Sequence, residues 1–220
     1  MIIRKKEIGA VELIIILNVV LFIPVLFAKY LGINLFFIPL MEHLSLRLYQ
    51  QTGFFTFAKW QFITTMFIHG DISHLLLNMY GLYIFGKPLE KIIGKFQFVS
   101  FYLICGALAN ILSLVFFMVF KGQVILIGAS GAIYAVILGF AVFYPFAQLY
   151  LFFAIPMKIK TAILMFTVIE LGSQLAFSNG KVAHITHLLG FIFGFLYLLI
   201  VYRKNAIKIL FFNHDTNYYN

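Results

Sequence analysis

Six apolar stretches, separated by short polar or basic joints, leave this chain little choice of solvent. They occupy residues 11–31, 73–93, 96–120, 130–144, 160–176 and 183–202 of the 220. Most are long enough for a helix to cross a hydrocarbon layer about 30 Å thick. A helix also satisfies its backbone polar groups internally, as lipid demands. Hydrophobic residues make up 63% of the chain and charged residues 10%. That is too little charge to cover a soluble domain, where about 25% is usual, and 28 Phe with 12 Tyr are far too apolar for disorder. A single cysteine excludes a disulfide framework and any cysteine-built metal site. The expected fold is therefore an all-α membrane protein with six transmembrane helices.

The net charge of +9 reads as a topology signal. The cations lie between apolar runs and at the two ends, with no basic stripe of the kind nucleic acid needs, so no nucleic-acid partner is expected. With both termini in the cytoplasm, 11 of the 16 Lys and Arg fall on the inner side, as the positive-inside rule requires. The first run follows Arg4, Lys5 and Lys6, but no small-residue cleavage site comes after it, so it is expected to remain as a span. Residues 1–10 are then a cytoplasmic segment, 11–202 the six-span core and 203–220 a cytoplasmic tail. The setting is an integral multi-pass protein of the plasma (cell inner) membrane, with lipid as its surroundings. Residues 32–70 form a long outer connection with Pro39 and Trp60, in which residues 41–49 carry helical spacing. The chain is expected to rest there in the membrane interface on aromatic anchors.

Polar side chains inside a bilayer are costly, and here they gather at the outer ends of the even-numbered spans. Span 2 opens with His74 and Asn78, four residues apart and so about 40° from each other on one helix face. Span 4 opens on Gly128-Ala129-Ser130-Gly131. From Ser130 to Tyr144 is only about 22 Å of helix, too short to reach both surfaces. Ser130 is thus expected to begin below the outer surface, with residues 122–129 entering as irregular backbone. Span 6 opens with His184 and His187, followed by Gly190 and Gly194. On a helical wheel His187 shares the glycine face, where another helix can approach, and His184 lies at its edge. His187 is therefore the candidate to meet Ser130, and His184 reads as structural. A metal on the two histidines is disfavoured because no carboxylate or cysteine stands nearby in sequence; no metal and no cofactor are expected. A serine made nucleophilic by an imidazole needs donors for the oxyanion it generates. His74, Asn78 and the Ser130 backbone N–H are candidates.

These motifs, in this order and spacing, make the chain resemble the rhomboid family of intramembrane serine proteases. The matching residues are His74 and Asn78 within residues 69–78, Gly128-Ala129-Ser130-Gly131 followed by Tyr134, and His187-Leu188-Leu189-Gly190 continuing to Gly194. The resemblance implies a six-helix rhomboid-like bundle with residues 32–70 as a partly embedded first outer loop. It also implies a catalytic Ser130–His187 dyad with no third acidic residue, an oxyanion site from His74, Asn78 and backbone amides, and Tyr134 packed on the His187 ring. Substrates would be single-span membrane proteins cleaved near the outer face, reaching the site beside span 5. The family often has Trp-Arg in the first loop where this chain has Trp60-Gln61, a departure that bears on the loop's anchoring.

Two other classes compete. One is a catalytically inactive rhomboid-like protein that binds membrane clients; inactive relatives lack the serine or the histidine, and both are here. The other is a transporter, for which Glu170, the one acidic residue well inside a span, is the only cue; its plainer reading is a satisfied or snorkelling polar residue near the cavity wall. Aspartyl chemistry is excluded, because Asp71 and Asp215 lie outside the spans. Asn18, Asn110 and Ser113 read as interhelical hydrogen bonders, Cys105 as packing, and Asp71 or Ser73 as a helix cap.

Overall fold

The computed structural model describes residues 8–32, 37–48, 57–120, 124–151, 154–176 and 184–212. Its helices are α1 (Ala10–Leu31), α2 (Phe37–Leu44), α3 (Gln61–Thr64), α4 (Ile72–Gly81), α5 (Lys87–Ile93), α6 (Lys95–Val119), α7 (Ser130–Phe143), α8 (Ile159–Ala176) and α9 (His184–Val201). A π-helical stretch, Leu82–Gly86, joins α4 to α5 without a break. Helices thus cover five of the six apolar stretches along most of their length and, from His184 onward, the sixth. Within α1, α6 and α9, apolar windows of mean hydropathy 2.7, 2.2 and 2.0 are long enough to cross a membrane.

Helix α7 sits at the centre. Every residue from Gly131 to Val142 except Tyr134 is buried, as expected of a helix apolar on all sides. Helices α6 and α9 and the π-helical stretch enclose it. Its seat against α9 depends on two missing side chains. A Cβ on Gly190 would run into the carbonyl oxygen of Gly131, and one on Gly194 would stand 2.9 Å from the Cα of Ala135. The glycine face read from the sequence is this contact. Ser113 and Thr186 join α6 to α9 through their hydroxyls at 2.6 Å, and Asn110 donates to the Phe62 carbonyl at 2.9 Å. Asn18 departs from expectation: its amide donates to the Ile14 carbonyl of its own helix at 2.8 Å, so among the described residues it stabilises a turn and bridges no second helix. Away from the core, α8 exposes Leu164, Val168, Ile169 and Leu171. At the far end of α7 from Ser130, Lys87 pairs with Glu12 and Glu90 accepts from the Ala10 and Val11 N–H groups at the start of α1.

The connection between α1 and α4 differs from the sequence expectation. Helical spacing predicts one helix across residues 41–49, yet α2 stops at Leu44 and a strand follows, β1 (Leu46–Leu48); Tyr49 lies outside the described residues. At the stop both the N–H and the hydroxyl of Ser45 turn back to the Met41 carbonyl. Strand β1 pairs antiparallel with β2 (Val124–Leu126), Leu46 opposite Leu126. The lead-in to α7 is therefore partly a strand, where irregular backbone is expected from sequence. A second hairpin, β3 (Gln148–Leu151) with β4 (Ile155–Lys158), precedes α8. Trp60 and Gln61 both reach back to α2. The indole N–H donates to the His43 carbonyl at 3.0 Å, and the Gln61 amide to the Glu42 and His43 carbonyls at 3.0 and 3.3 Å. A neutral amide at position 61 thus anchors this segment with directed bonds.

Candidate active site

A cavity of about 790 Å³ opens between α4, the β2–α7 lead-in, α7 and α9, lined by Asp71, His74, Asn78, Ser130, Tyr134 and His187 among others. Residues from three helices far apart in sequence meet here. The Ser130 Oγ lies 2.6 Å from His187 Nε2. Ser130 opens α7, whose start carries no side-chain cap, and the N–H groups of Ser130, Gly131 and Ala132 meet no acceptor among the described residues. Such free N–H groups carry partial positive charge, enough to favour an anion. Gly128 holds this corner open with a φ of +107°, a region that side chains rarely adopt, and a Cβ at this position would strike the His74 ring.

Tyr134, one turn below Ser130, stacks flat on His187, with ring centroids 4.5 Å apart and planes 9° from parallel. This is the contact that the family resemblance implies. His74 and Asn78 line the same cavity, and the Asn78 amide donates one N–H to the His74 carbonyl at 2.8 Å, leaving its second N–H for another partner. Asp71 caps α4, its carboxylate accepting from the His74 N–H at 2.8 Å. Behind His74 lies His69, fully buried and without a hydrogen-bond partner among the described residues. Burial, with His74 beside it, lowers its pKa to about 3, so its ring stays neutral.

Two contributions have partners that the sequence does not disclose. The first is Thr65, which is fully buried. Its hydroxyl donates to the Leu126 carbonyl and accepts from the Leu46 N–H, and its own carbonyl accepts from the Gly128 N–H at 3.0 Å. One threonine thus ties β1, β2 and the turn before Ser130 together. The second is Glu170, on α8. Its carboxylate accepts from the Tyr134 hydroxyl, lies 2.6 Å from His184 Nδ1 and stands 3.0 Å from His187 Nδ1. The resemblance implies no acidic partner for the histidine; the fold supplies a close one. Nearness of Glu170 also removes the sequence argument against a metal, since its oxygen and the nitrogens of His184 and His187 lie within 4.8 Å of one another. The spacing nevertheless suits shared protons. Two ligands on a tetrahedral zinc with bonds of about 2.0–2.1 Å stand about 3.3 Å apart, well beyond 2.6 Å.

Residues 56–204 match the model of the Rhomboid domain. The chain belongs to the rhomboid family. Among its relatives, Rhomboid-like protein 11, chloroplastic, of Arabidopsis thaliana is 32% identical over 131 residues, 59% of this chain and 40% of that protein. YdcA of Bacillus subtilis, a rhomboid by name, is 28% identical over 145 residues, 66% of this chain and 68% of the relative. Rhomboid protease GluP, also of Bacillus subtilis, is 31% identical over 136 residues, 62% of this chain but 25% of its own length. This rhomboid therefore spans less than half of two of these relatives and about two thirds of the third. Family membership and the long apolar helices make it an integral membrane protein.

Proposed function

We propose that this rhomboid is an intramembrane serine endopeptidase that cleaves single-span membrane proteins near the outer face of the bilayer. The observation that carries the reading is the 2.6 Å contact between the Ser130 hydroxyl and His187 Nε2 at the open mouth of α7. In this mechanism His187 takes the Ser130 proton as the oxygen attacks the scissile carbonyl, then delivers it to the leaving amine. The oxyanion that forms is held by the Ser130 N–H with His74 and Asn78, donors fixed before reaction begins. Tyr134 keeps the imidazole plane in place. A substrate helix must unwind at the cleaved bond, because its carbonyls are otherwise engaged along its own axis. The six-span topology, both termini in the cytoplasm, residues 11–202 as core, and access beside α8 belong to the same reading. So does residence in the plasma membrane.

The transporter reading loses support, because the Glu170 carboxylate is occupied by Tyr134 and His184. The test is purified protein in detergent with a generic transmembrane substrate. Wild type cleaves; Ser130→Ala and His187→Ala fall by several powers of ten. Equal turnover by all three rejects the protease. Wild-type protein that binds the substrate without cutting it, and never reacts with a fluorophosphonate, marks a client-binding rhomboid.

A further inference from the structure

We propose that Glu170 is a positioning residue for His187, so that hydrolysis runs on a Ser130–His187–Glu170 line. The inference rests on the protease reading above and adds to it the group behind the base.

For His187 Nε2 to receive the Ser130 proton it must be unprotonated, which places the proton of the neutral ring on Nδ1. Facing Nδ1 at 3.0 Å is Glu170 Oε1. Among the described residues Nδ1 has no hydrogen-bond partner of good geometry, so in this arrangement the carboxylate acts on the ring by short-range charge. That charge favours the Nδ1–H tautomer and stabilises the imidazolium that forms as Ser130 attacks. Oε1 also accepts from the Tyr134 hydroxyl, so the carboxylate that faces the imidazole also fixes the ring stacked on it. Oε2 is steadied by His184 Nδ1 at 2.6 Å. Glu170 is buried, 7% exposed, and at such a depth a carboxylate acts strongly on its neighbours. Among the described residues, the groups facing His187 are Ser130 and Tyr134 from α7, Glu170 from α8, His184 from its own helix, and His74 across the cavity from α4. Asp71 lines the cavity too, but its carboxylate is bonded to the His74 N–H. Glu170 is thus the acid at the rear nitrogen.

A purely structural Glu170, fastening α8 to α7 and α9, makes different predictions. The experiment measures kcat and KM for wild type, Glu170→Gln and Glu170→Asp on a transmembrane peptide. Glutamine keeps the shape but presents neutral amide atoms to Nδ1 and can impose the wrong tautomer. Glu170→Gln should lower kcat by roughly 10²- to 10⁴-fold with KM near the wild-type value. Glu170→Asp, which keeps the carboxylate, should lose much less of kcat than Glu170→Gln. A kcat that stays near wild type in Glu170→Gln, or is lost only in step with stability, overturns the proposal and leaves the protease intact. Wild type that neither cleaves nor labels with a fluorophosphonate overturns both. If Glu170→Gln does not fold, ¹⁵N-histidine spectra of the wild type decide, with the His187 signal assigned by its loss in His187→Ala. Nδ1–H in the neutral ring is the expected result, and Nε2–H overturns the proposal.

Discussion

Two helices begin at the same cavity, and they begin differently. At α4 the first turn is closed by a side chain, the Asp71 carboxylate accepting the His74 N–H. At α7 the preceding residue is Ala129, no side chain caps the turn, and its first three N–H groups meet no acceptor among the described residues. A helix start left bare inside a protein is costly, so something else must hold α7 where it is. Packing from α9 does so on one side, through Gly190 against the Gly131 carbonyl, and Thr65 does so on the other, through the Gly128 N–H. The difference separates a helix start completed within the fold from one whose donors remain available to something that enters the cavity.

The most severe way to break this contrast is to attack the packing that substitutes for a cap. Gly190→Val places a branched side chain against the backbone of the first turn of α7, where neither partner can yield without moving a helix. Overpacking of this kind costs about 3 kcal/mol or more. The expected outcome is protein that unfolds far below the wild type in a detergent thermal melt, with no fluorophosphonate labelling of whatever folds. A melt within a degree or two of wild type would mean that α7 is seated by other contacts.

The second variant is smaller and acts on the opposite side. Thr65→Val keeps the volume of the side chain and removes only the hydroxyl that joins Leu126 to Leu46. It leaves a buried carbonyl without its donor, a loss of about 1–3 kcal/mol. The backbone tie from Gly128 to the Thr65 carbonyl survives. Thermal unfolding should therefore fall clearly, with labelling reduced less than in Gly190→Val. If Thr65→Val abolishes labelling while melting like wild type, the hydroxyl reaches the reacting groups and is more than a tie.

These two supports differ in how far the sequence discloses them. Ser130, His187, Gly190 and Gly194 can be read in advance because helical periodicity fixes which residues of one helix share a face. The Thr65 tie cannot be read that way. Its partners lie on strands three residues long, and Leu46–Leu48 and Val124–Leu126 alternate too briefly to distinguish a ladder from an apolar run. Glu170 is hidden for a related reason. It stands 17 residues before His187 on another helix, and the rotation of α8 about its own axis relative to α9 is set by tertiary packing. The sequence marks an acid inside a span as expensive without saying which histidine it faces. The turn at Ser45 is local and still escapes, since a serine back-bonding to residue 41 also occurs in helices that continue.

The smallest effect expected is at the capped helix, where it tests whether the cap is as ordinary as it looks. Asp71→Ala removes the acceptor for the His74 N–H and should cost about 1 kcal/mol, within the range of roughly 0.5–2 for such caps, while Asp71→Asn should cost less. The His74 N–H is also the main reason the Asp71 carboxyl is held below its ordinary pKa. A carboxylate whose pKa is depressed by folding contributes stability above the unfolded value, about 3.9, and loses that contribution as pH falls through the folded one. The penalty of Asp71→Ala should therefore be full at neutral pH and shrink once the solution is more acidic than about pH 4, as comparison of the two melts across pH would reveal. A gap that stays constant down to the most acidic samples would assign the loss at Asp71 to packing, and α4 would then be held, like α7, by its neighbours.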